Sequence, residues 1–153
     1  MNAYHVDASA LVKRYVNEAG SEWLRGIADA EPIPLLFTSR MTIVEVISAF
    51  ARRVREGALS SPDFVAARNA FRSDCLTHYQ IMPPSLAVVD LACSLLGRYP
   101  LRAYDAVQLA TALGAREFLA DSAYPSPTFL SADERLNDAA RAEGLAIGNP
   151  DKH

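Results

Sequence analysis

Four acidic residues lie where a carboxylate could do chemistry: Asp7, Glu45, Asp105 and Asp133. Asp7 directly follows the apolar run Tyr4-His5-Val6, and Asp133 follows Thr128-Phe129-Leu130 by three residues. If those runs are strands of an open parallel sheet, both acids lie at strand carboxyl ends, where such sheets bind ligands. Each also has a purely structural reading. Asp7 could support the start of the next helix. Ser131-Ala132-Asp133-Glu134 matches a capping box, with Ser at the cap and Glu three residues later. Asp105 falls in the first turn of a helical stretch, where the dipole favours negative charge. Ala103, Ala106, Ala110 and Ala112 leave room for close packing around it. Glu45 sits inside the apolar run Thr42 to Ile47, and an unpaired buried carboxylate is costly enough to demand a partner, a proton or a metal. A solvent-facing stripe with Arg52 or Arg53 is its alternative. Carboxylate oxygens suit hard cations such as Mg²⁺ or Mn²⁺. The histidines, His5, His78 and His153, are scattered, so no cluster offers a zinc site; His5 is expected to be a core or strand-face residue. Spacing alone does not bring the four acids together.

The elements that would have to position them read as alternating short strands and helices. Strands are expected at Tyr4 to Val6, Leu35 to Thr38, Tyr79 to Met82, Thr128 to Leu130 and Leu145 to Ile147. Helices are expected at Ser9 to Asn17, Ser21 to Ala30, Met41 to Arg55, from Ser61-Pro62 through Cys75, Leu86 to Arg98, Arg102 to Phe118 and Ala132 to Glu143. Ile43, Ile47, Phe50 and Val54 mark the buried stripe of the third, and Phe64, Ala67, Phe71 and Cys75 that of the fourth. This order predicts an α/β domain with a central, mostly parallel sheet. The helices outnumber the strands, so some are expected to pack as helical hairpins over the sheet edge.

The chain's 153 residues suffice for one domain, expected to span 1–150 with a short tail at 151–153. No apolar run reaches the roughly 18 residues that cross a bilayer, and the start lacks a secretion-signal pattern, so a cytoplasmic protein with no membrane partner is expected. Cys75 and Cys93 are expected to be reduced, partly buried thiols. A net charge of −3 argues against a protein that coats nucleic acid nonspecifically. Arginine outnumbers lysine thirteen to two, which suits bidentate phosphate contacts or reflects base composition.

The words around the acids are more specific than the acids themselves. Val6-Asp7-Ala8-Ser9-Ala10-Leu11-Val12-Lys13-Arg14-Tyr15 resembles the opening of PIN-domain ribonucleases of the VapC toxin type. Thr42-Ile43-Val44-Glu45-Val46, then Leu101-Arg102-Ala103-Tyr104-Asp105-Ala106-Val107-Gln108-Leu109-Ala110, then Phe129-Leu130-Ser131-Ala132-Asp133-Glu134-Arg135-Leu136 resemble that family's later signatures, and Asn149-Pro150 also fits. The likeness spans nearly the whole chain. It implies a PIN-like αβα sandwich, an acidic site built from Asp7, Glu45, Asp105 and Asp133, and orienting roles for Ser9 and Ser131. It further implies a VapB-like antitoxin partner and a homodimer.

That chemistry makes physical sense. Hydrolysing an RNA phosphodiester needs an activated water and a sink for developing charge, and Mg²⁺ or Mn²⁺ supplies both. Two like charges about 4 Å apart repel by roughly 4 kcal/mol at an effective dielectric near 20, so four carboxylates should hold a proton or recruit a cation. Asp7 and Asp105 are expected to be the main ligands, with Glu45 and Asp133 completing the set through water. Lys13, Arg14, Arg40, Arg102 and Arg135 are candidates for offsetting the repulsion between an acidic pocket and RNA. Single-stranded RNA or an exposed loop is the expected substrate, because its backbone and bases can splay. A receiver-like or phosphatase-like Mg-binding domain is the alternative, but it needs a lysine late in the chain at a strand end. Lys13 and Lys152 are the only lysines. A noncatalytic binding module on the same fold is the other rival.

Overall fold

A computed structural model describes all 153 residues. In chain order its elements are β1 (Ala3–Val6), α1 (Ala8–Tyr15), α2 (Ser21–Ala28), β2 (Leu35–Ser39), α3 (Arg40–Arg55), α4 (Ser61–Thr77), β3 (Tyr79–Met82), α5 (Leu86–Arg98), α6 (Ala103–Leu119), β4 (Thr128–Leu130), α7 (Glu134–Ala142) and β5 (Ile147–Gly148), followed by a 3₁₀ turn at Pro150–Lys152. The five strands form one sheet in the order β3-β2-β1-β4-β5, and every pairing is parallel. Each crossover therefore runs through helices, which cover both faces.

Alternation along the strands divides the core. Val6, Leu36, Tyr79 and Leu130 face one side and pack with α1, α2, α3 and α4, around Leu11, Val46, Phe50 and Phe71. Phe129 faces the other side, with α5, α6 and α7 around Leu95, Leu109 and Leu136. Phe37 joins Ala115 and Leu119 of α6 in a smaller cluster on that side. His5 lies in register with Phe37 and Phe129, fully buried, as its strand position predicts.

Local departures from the sequence reading have local causes. On α3 the buried positions are Thr42, Val46 and Phe50, while Val44 is 58% exposed. The true stripe is thus rotated from Ile43, Ile47 and Val54, and Glu45 is half-buried at its margin rather than walled in by valines. α7 begins at Glu134 and not at Ala132, because Asp133 is the cap: its Oδ1 accepts from the amides of Arg135 and Leu136. The Ser131–Glu134 capping box does not form. The last strand starts at Ile147, and Leu145 is instead buried in the helical core. Cys75 is half-buried, but Cys93 is exposed on α5, contrary to its expected burial; both are free thiols.

Residues 151–153 are not a loose tail. Asp151 pairs with Lys13 at 2.7 Å, Lys152 with Glu134 at 2.7 Å, and His153 stacks on Trp23 with ring centroids 4.3 Å apart. Gly20, at φ 82°, lies so close to this turn that a Cβ there would collide with the Pro150 carbonyl. No helix is long and apolar enough to cross a membrane.

Candidate active site

From β1 the sheet grows one way to β2 and β3 and the other way to β4 and β5. The crevice beyond the carboxyl ends of β1 and β4 is therefore the topological switch point, where open α/β sheets bind ligands. Asp7 closes β1 and caps α1. Its Oδ1 accepts the Ala10 amide at 3.0 Å and the Ser9 hydroxyl at 2.8 Å; its Oδ2 accepts the Ser131 hydroxyl at 2.9 Å. The serines are in turn fixed from behind. Ser9 Oγ accepts the Ala132 amide at 2.9 Å, and Ser131 Oγ accepts the Asp133 amide at 3.0 Å. Two hydroxyls thus clamp the ends of β1 and β4 together around one carboxylate.

Asp7 is 5% exposed, and its burial, together with the charge of Glu45, pushes its pKa up to about 7 despite those three hydrogen bonds. Glu45 is also held above the usual carboxylate range, first by burial and then by the charge of Asp105, against a hydrogen bond from Gln108 that lowers it. Asp105 rises for the same reasons, burial first and then the charge of Asp133, with Arg102 and Arg135 pulling the other way. Charge thus acts from Glu45 on Asp7, from Asp105 on Glu45 and from Asp133 on Asp105 across the switch point. Glu45 meets neither Arg52 nor Arg53 as an ion-pair partner; Arg53 is instead bound to Glu18 at 3.0 Å.

The donor set fits a hard divalent cation. It is all oxygen, and burial plus mutual repulsion penalise its charge in a way that a cation would relieve. One oxygen of each of three acids is already fixed by the protein: Glu45 Oε1 by Gln108 at 2.9 Å, Asp105 Oδ2 by the Arg102 amide at 3.4 Å, and Asp133 Oδ1 by two amides of α7. The other oxygen of each carries no hydrogen bond from the protein. No three His, Cys, Asp or Glu side chains converge on one point as a ready-made cage. Mg²⁺-like ions typically bind through one or two carboxylates and keep several waters.

An open cleft of about 580 Å³ reaches two of the four acids, Glu45 and Asp133; Asp7 and Asp105 do not line it. Glu45, Asp133 and Ser9 line it together with Arg52, Arg102 and Tyr104. Of the basic candidates, Arg102 and Arg135 stand near enough to Asp105 to shift its acidity, and both are exposed and free of ion pairs. Arg40 is exposed at the start of α3 but does not line the cleft. Lys13 lines it but is buried, with its ammonium turned to Glu18, Asp151 and the Ala19 carbonyl. Arg14 faces away, bound to Asp29 and Tyr79. The structure therefore gives Lys13 and Arg14 scaffold partners and leaves neither free for a phosphate.

Three residues at or behind the cleft were not singled out from sequence: Tyr104, Thr42 and Gln108. Tyr104 is 46% exposed at the cleft mouth, one position before Asp105. Gln108 is fully buried and bonds His5, Thr42 and Glu45 at once. Its only sequence signal is a long amide standing alone among Ala106, Val107, Leu109 and Ala110.

Sheet order and acidic crevice together define an open, doubly wound α/β protein with a carboxylate site at its switch point. A sequence pattern described as the PIN domain matches residues 4–142. Ribonuclease VapC46 of Mycobacterium tuberculosis is 32% identical over 98% of this chain and 99% of its own length, and Ribonuclease VapC35 of the same species is 30% identical over 95% and 96%. The chain belongs to the PIN domain family, within its VapC-type group. Among solved structures, VapC20 of M. tuberculosis, described as a sarcin-ricin loop cleaving toxin, superposes with a TM-score of 0.64 at 18% identity over 94% of this chain and 97% of that one. FitAcB from Neisseria gonorrhoeae gives a TM-score of 0.64 at 16% identity over 96% and 97%, and a toxin-antitoxin complex from Klebsiella pneumoniae gives 0.63 at 16% over 97% and 98%. Those three share the fold.

Proposed function

We propose that this chain is a divalent-metal-dependent endoribonuclease that hydrolyses RNA phosphodiesters and serves as the toxin of a toxin–antitoxin pair. The observation that carries the reading is the placement of buried Asp7 and half-buried Glu45, Asp105 and Asp133 around the switch point of the sheet. Asp7 and Asp105 would hold Mg²⁺ or Mn²⁺, with Glu45 and Asp133 joining through water. When bound, such an ion polarises the phosphate and lowers the pKa of an attacking water. The chain's own residues do the rest. Ser9 and Ser131 keep both Asp7 oxygens in place, and the α7 amides keep Asp133 pointed at the crevice. Arg102 and Arg135 offset the carboxylate charge where a phosphate would approach. Arg52 adds a second exposed cation on the cleft wall. The cleft is open, which suits single-stranded or looped RNA whose backbone can enter it.

The relatives' names support both parts: two are ribonucleases of the VapC type, and two structural neighbours are described as a toxin or a toxin-antitoxin complex. A VapB-like antitoxin and assembly as a homodimer belong to the same proposal. The test is cleavage of single-stranded RNA by purified protein with Mn²⁺ or Mg²⁺ added and removed. Activity that persists unchanged in excess EDTA defeats the metal-dependent reading. Growth arrest on expression, relieved by a neighbouring antitoxin gene, tests the toxin role.

A further inference from the structure

We infer that Gln108 is a positioning residue that acts through Glu45, with its carboxamide held between Thr42 and His5. The inference rests on the proposed reading of the cleft as a metal-dependent nuclease site. Gln108 projects from α6 into the contact between the sheet and α3. Its Nε2 donates to Glu45 Oε1 at 2.9 Å and to Thr42 Oγ1 at 2.6 Å, and its Oε1 lies 3.0 Å from His5 Nε2. Both amide hydrogens and the carbonyl oxygen are thereby used.

A flipped carboxamide would set its oxygen against the Glu45 carboxylate, acceptor against acceptor. Glu45, which only accepts, and Thr42, whose own proton is needed elsewhere, exclude that flip, and His5 completes the arrangement from the other side. Its imidazole is stacked on Phe129 at 5.4 Å and 2° between planes, wholly buried, and its Nδ1 has no partner. A buried ring in that position is neutral, with one ring nitrogen a donor and the other an acceptor. With the two Gln108 hydrogens committed to Thr42 and Glu45, its oxygen faces His5, and Nε2 is the nitrogen that carries the proton. Thr42 is itself fixed by the Thr38 hydroxyl at 2.8 Å, which also lies 2.7 Å from the Val6 carbonyl oxygen. The chain of contacts runs from the sheet interior to one oxygen of a cleft carboxylate.

A glutamate side chain has three rotatable bonds, and Glu45 sits half-exposed on a helix beside open solvent. Fixing Oε1 leaves Oε2 free of protein hydrogen bonds on a residue that lines the cleft. Because Gln108 lies three residues beyond Asp105, one helix supplies an acid of the site and the group that orients another. Partners that orient carboxylate ligands typically matter by about 10- to 100-fold in metal affinity or activity.

The test compares wild type with Gln108→Met, which keeps length and removes every hydrogen bond, and with Gln108→Asn, which keeps an amide in the core but withdraws it from Glu45. Mn²⁺ affinity by calorimetry should weaken about 10-fold or more in both, and kcat on single-stranded RNA should fall about 10- to 100-fold, with KM within about twofold. In a Glu45→Gln background the same substitutions should cost nothing further. An undiminished additional loss in that background, or unchanged Mn²⁺ affinity in a folded Gln108→Asn protein, overturns the inference. If wild type binds no Mn²⁺, the proposed function fails by itself. A crystal structure of Gln108→Asn then decides: a displaced Glu45 carboxylate supports the positioning role, and an unmoved one refutes it.

Discussion

Ser131, 124 positions from Asp7 along the chain, donates its hydroxyl proton to Asp7 Oδ2 at 2.9 Å. The same oxygen of Ser131 accepts the amide of Asp133 at 3.0 Å. One side chain therefore sets the distance between the acids at the ends of β1 and β4.

Replacing Ser131 by Ala removes both bonds in a fully buried place. The unsatisfied Asp133 amide and the released Asp7 oxygen should cost about 1–3 kcal/mol of stability. Activity should fall about 10-fold, more than the loss of folded protein explains. Chemical denaturation and single-turnover cleavage measure the two separately.

Asp7→Asn should keep the helix cap, since Asn caps as well as Asp, yet lose cleavage by ~100-fold or more, beyond what an outer partner costs. The thermal midpoint should not fall. A folded Asp7→Asn protein with wild-type activity would count against Asp7 as a ligand.

Two buried groups should give the metal-free protein opposing pH slopes. Asp7 rises from 3.8 to about 7, so the folded state holds that proton more tightly and stability falls as pH increases through this window. His5 drops from 6.5 to about 4, so the folded state resists a proton the unfolded chain accepts, and stability falls as pH decreases through that range. Every tenfold difference in proton affinity between folded and unfolded chain corresponds to ~1.4 kcal/mol, enough to read in thermal melts. In EDTA, Asp7→Asn should make the midpoint rise more steeply, or fall less, from pH 4 to 6.5 than in wild type, and His5→Phe should make it fall more steeply from pH 4 to 7, with the raised Glu45 and Asp105 common to all three proteins.

Arg102→Ala and Arg52→Ala should weaken RNA binding nearly uniformly across sequences. Each should reduce the slope of log affinity against log salt by about 1. Filter binding in EDTA isolates this from cleavage.

Lys13→Met should behave in the opposite way. The Lys13 ammonium is buried between Glu18 and Asp151, and its removal should destabilise by about 1–3 kcal/mol while leaving the salt slope of RNA binding unchanged.

The contrast between Arg102 and Lys13 shows what local sequence carries and what it does not. The placement of Asp7, Asp105 and Asp133 was legible because each stands at a strand end or helix start, and strands and helix starts leave short-range marks. Lys13 looked equally available, but its partner Asp151 arrives from the far end of the chain. Ser131 matched a capping pattern perfectly in local terms; Asp133, two residues on, took the cap, and the serine was left to serve Asp7. Gln108 was invisible for a related reason. Its meaning depends on α6, α3 and β1 meeting, and no window of sequence contains all three. The five strands and seven helices were otherwise found near their true places, because apolar periodicity and proline or glycine stops are local signals.

The sheet ends on β3, four residues long and followed by Pro83-Pro84, and on β5, only two residues long. Outer strands so brief present little backbone for a visiting chain to zip onto, and proline cannot donate an amide to a ladder. The molecule is thereby poorly suited to templating fibrils at high concentration. The helices and the crevice, rather than the sheet edges, offer the larger surface for recognition by another macromolecule.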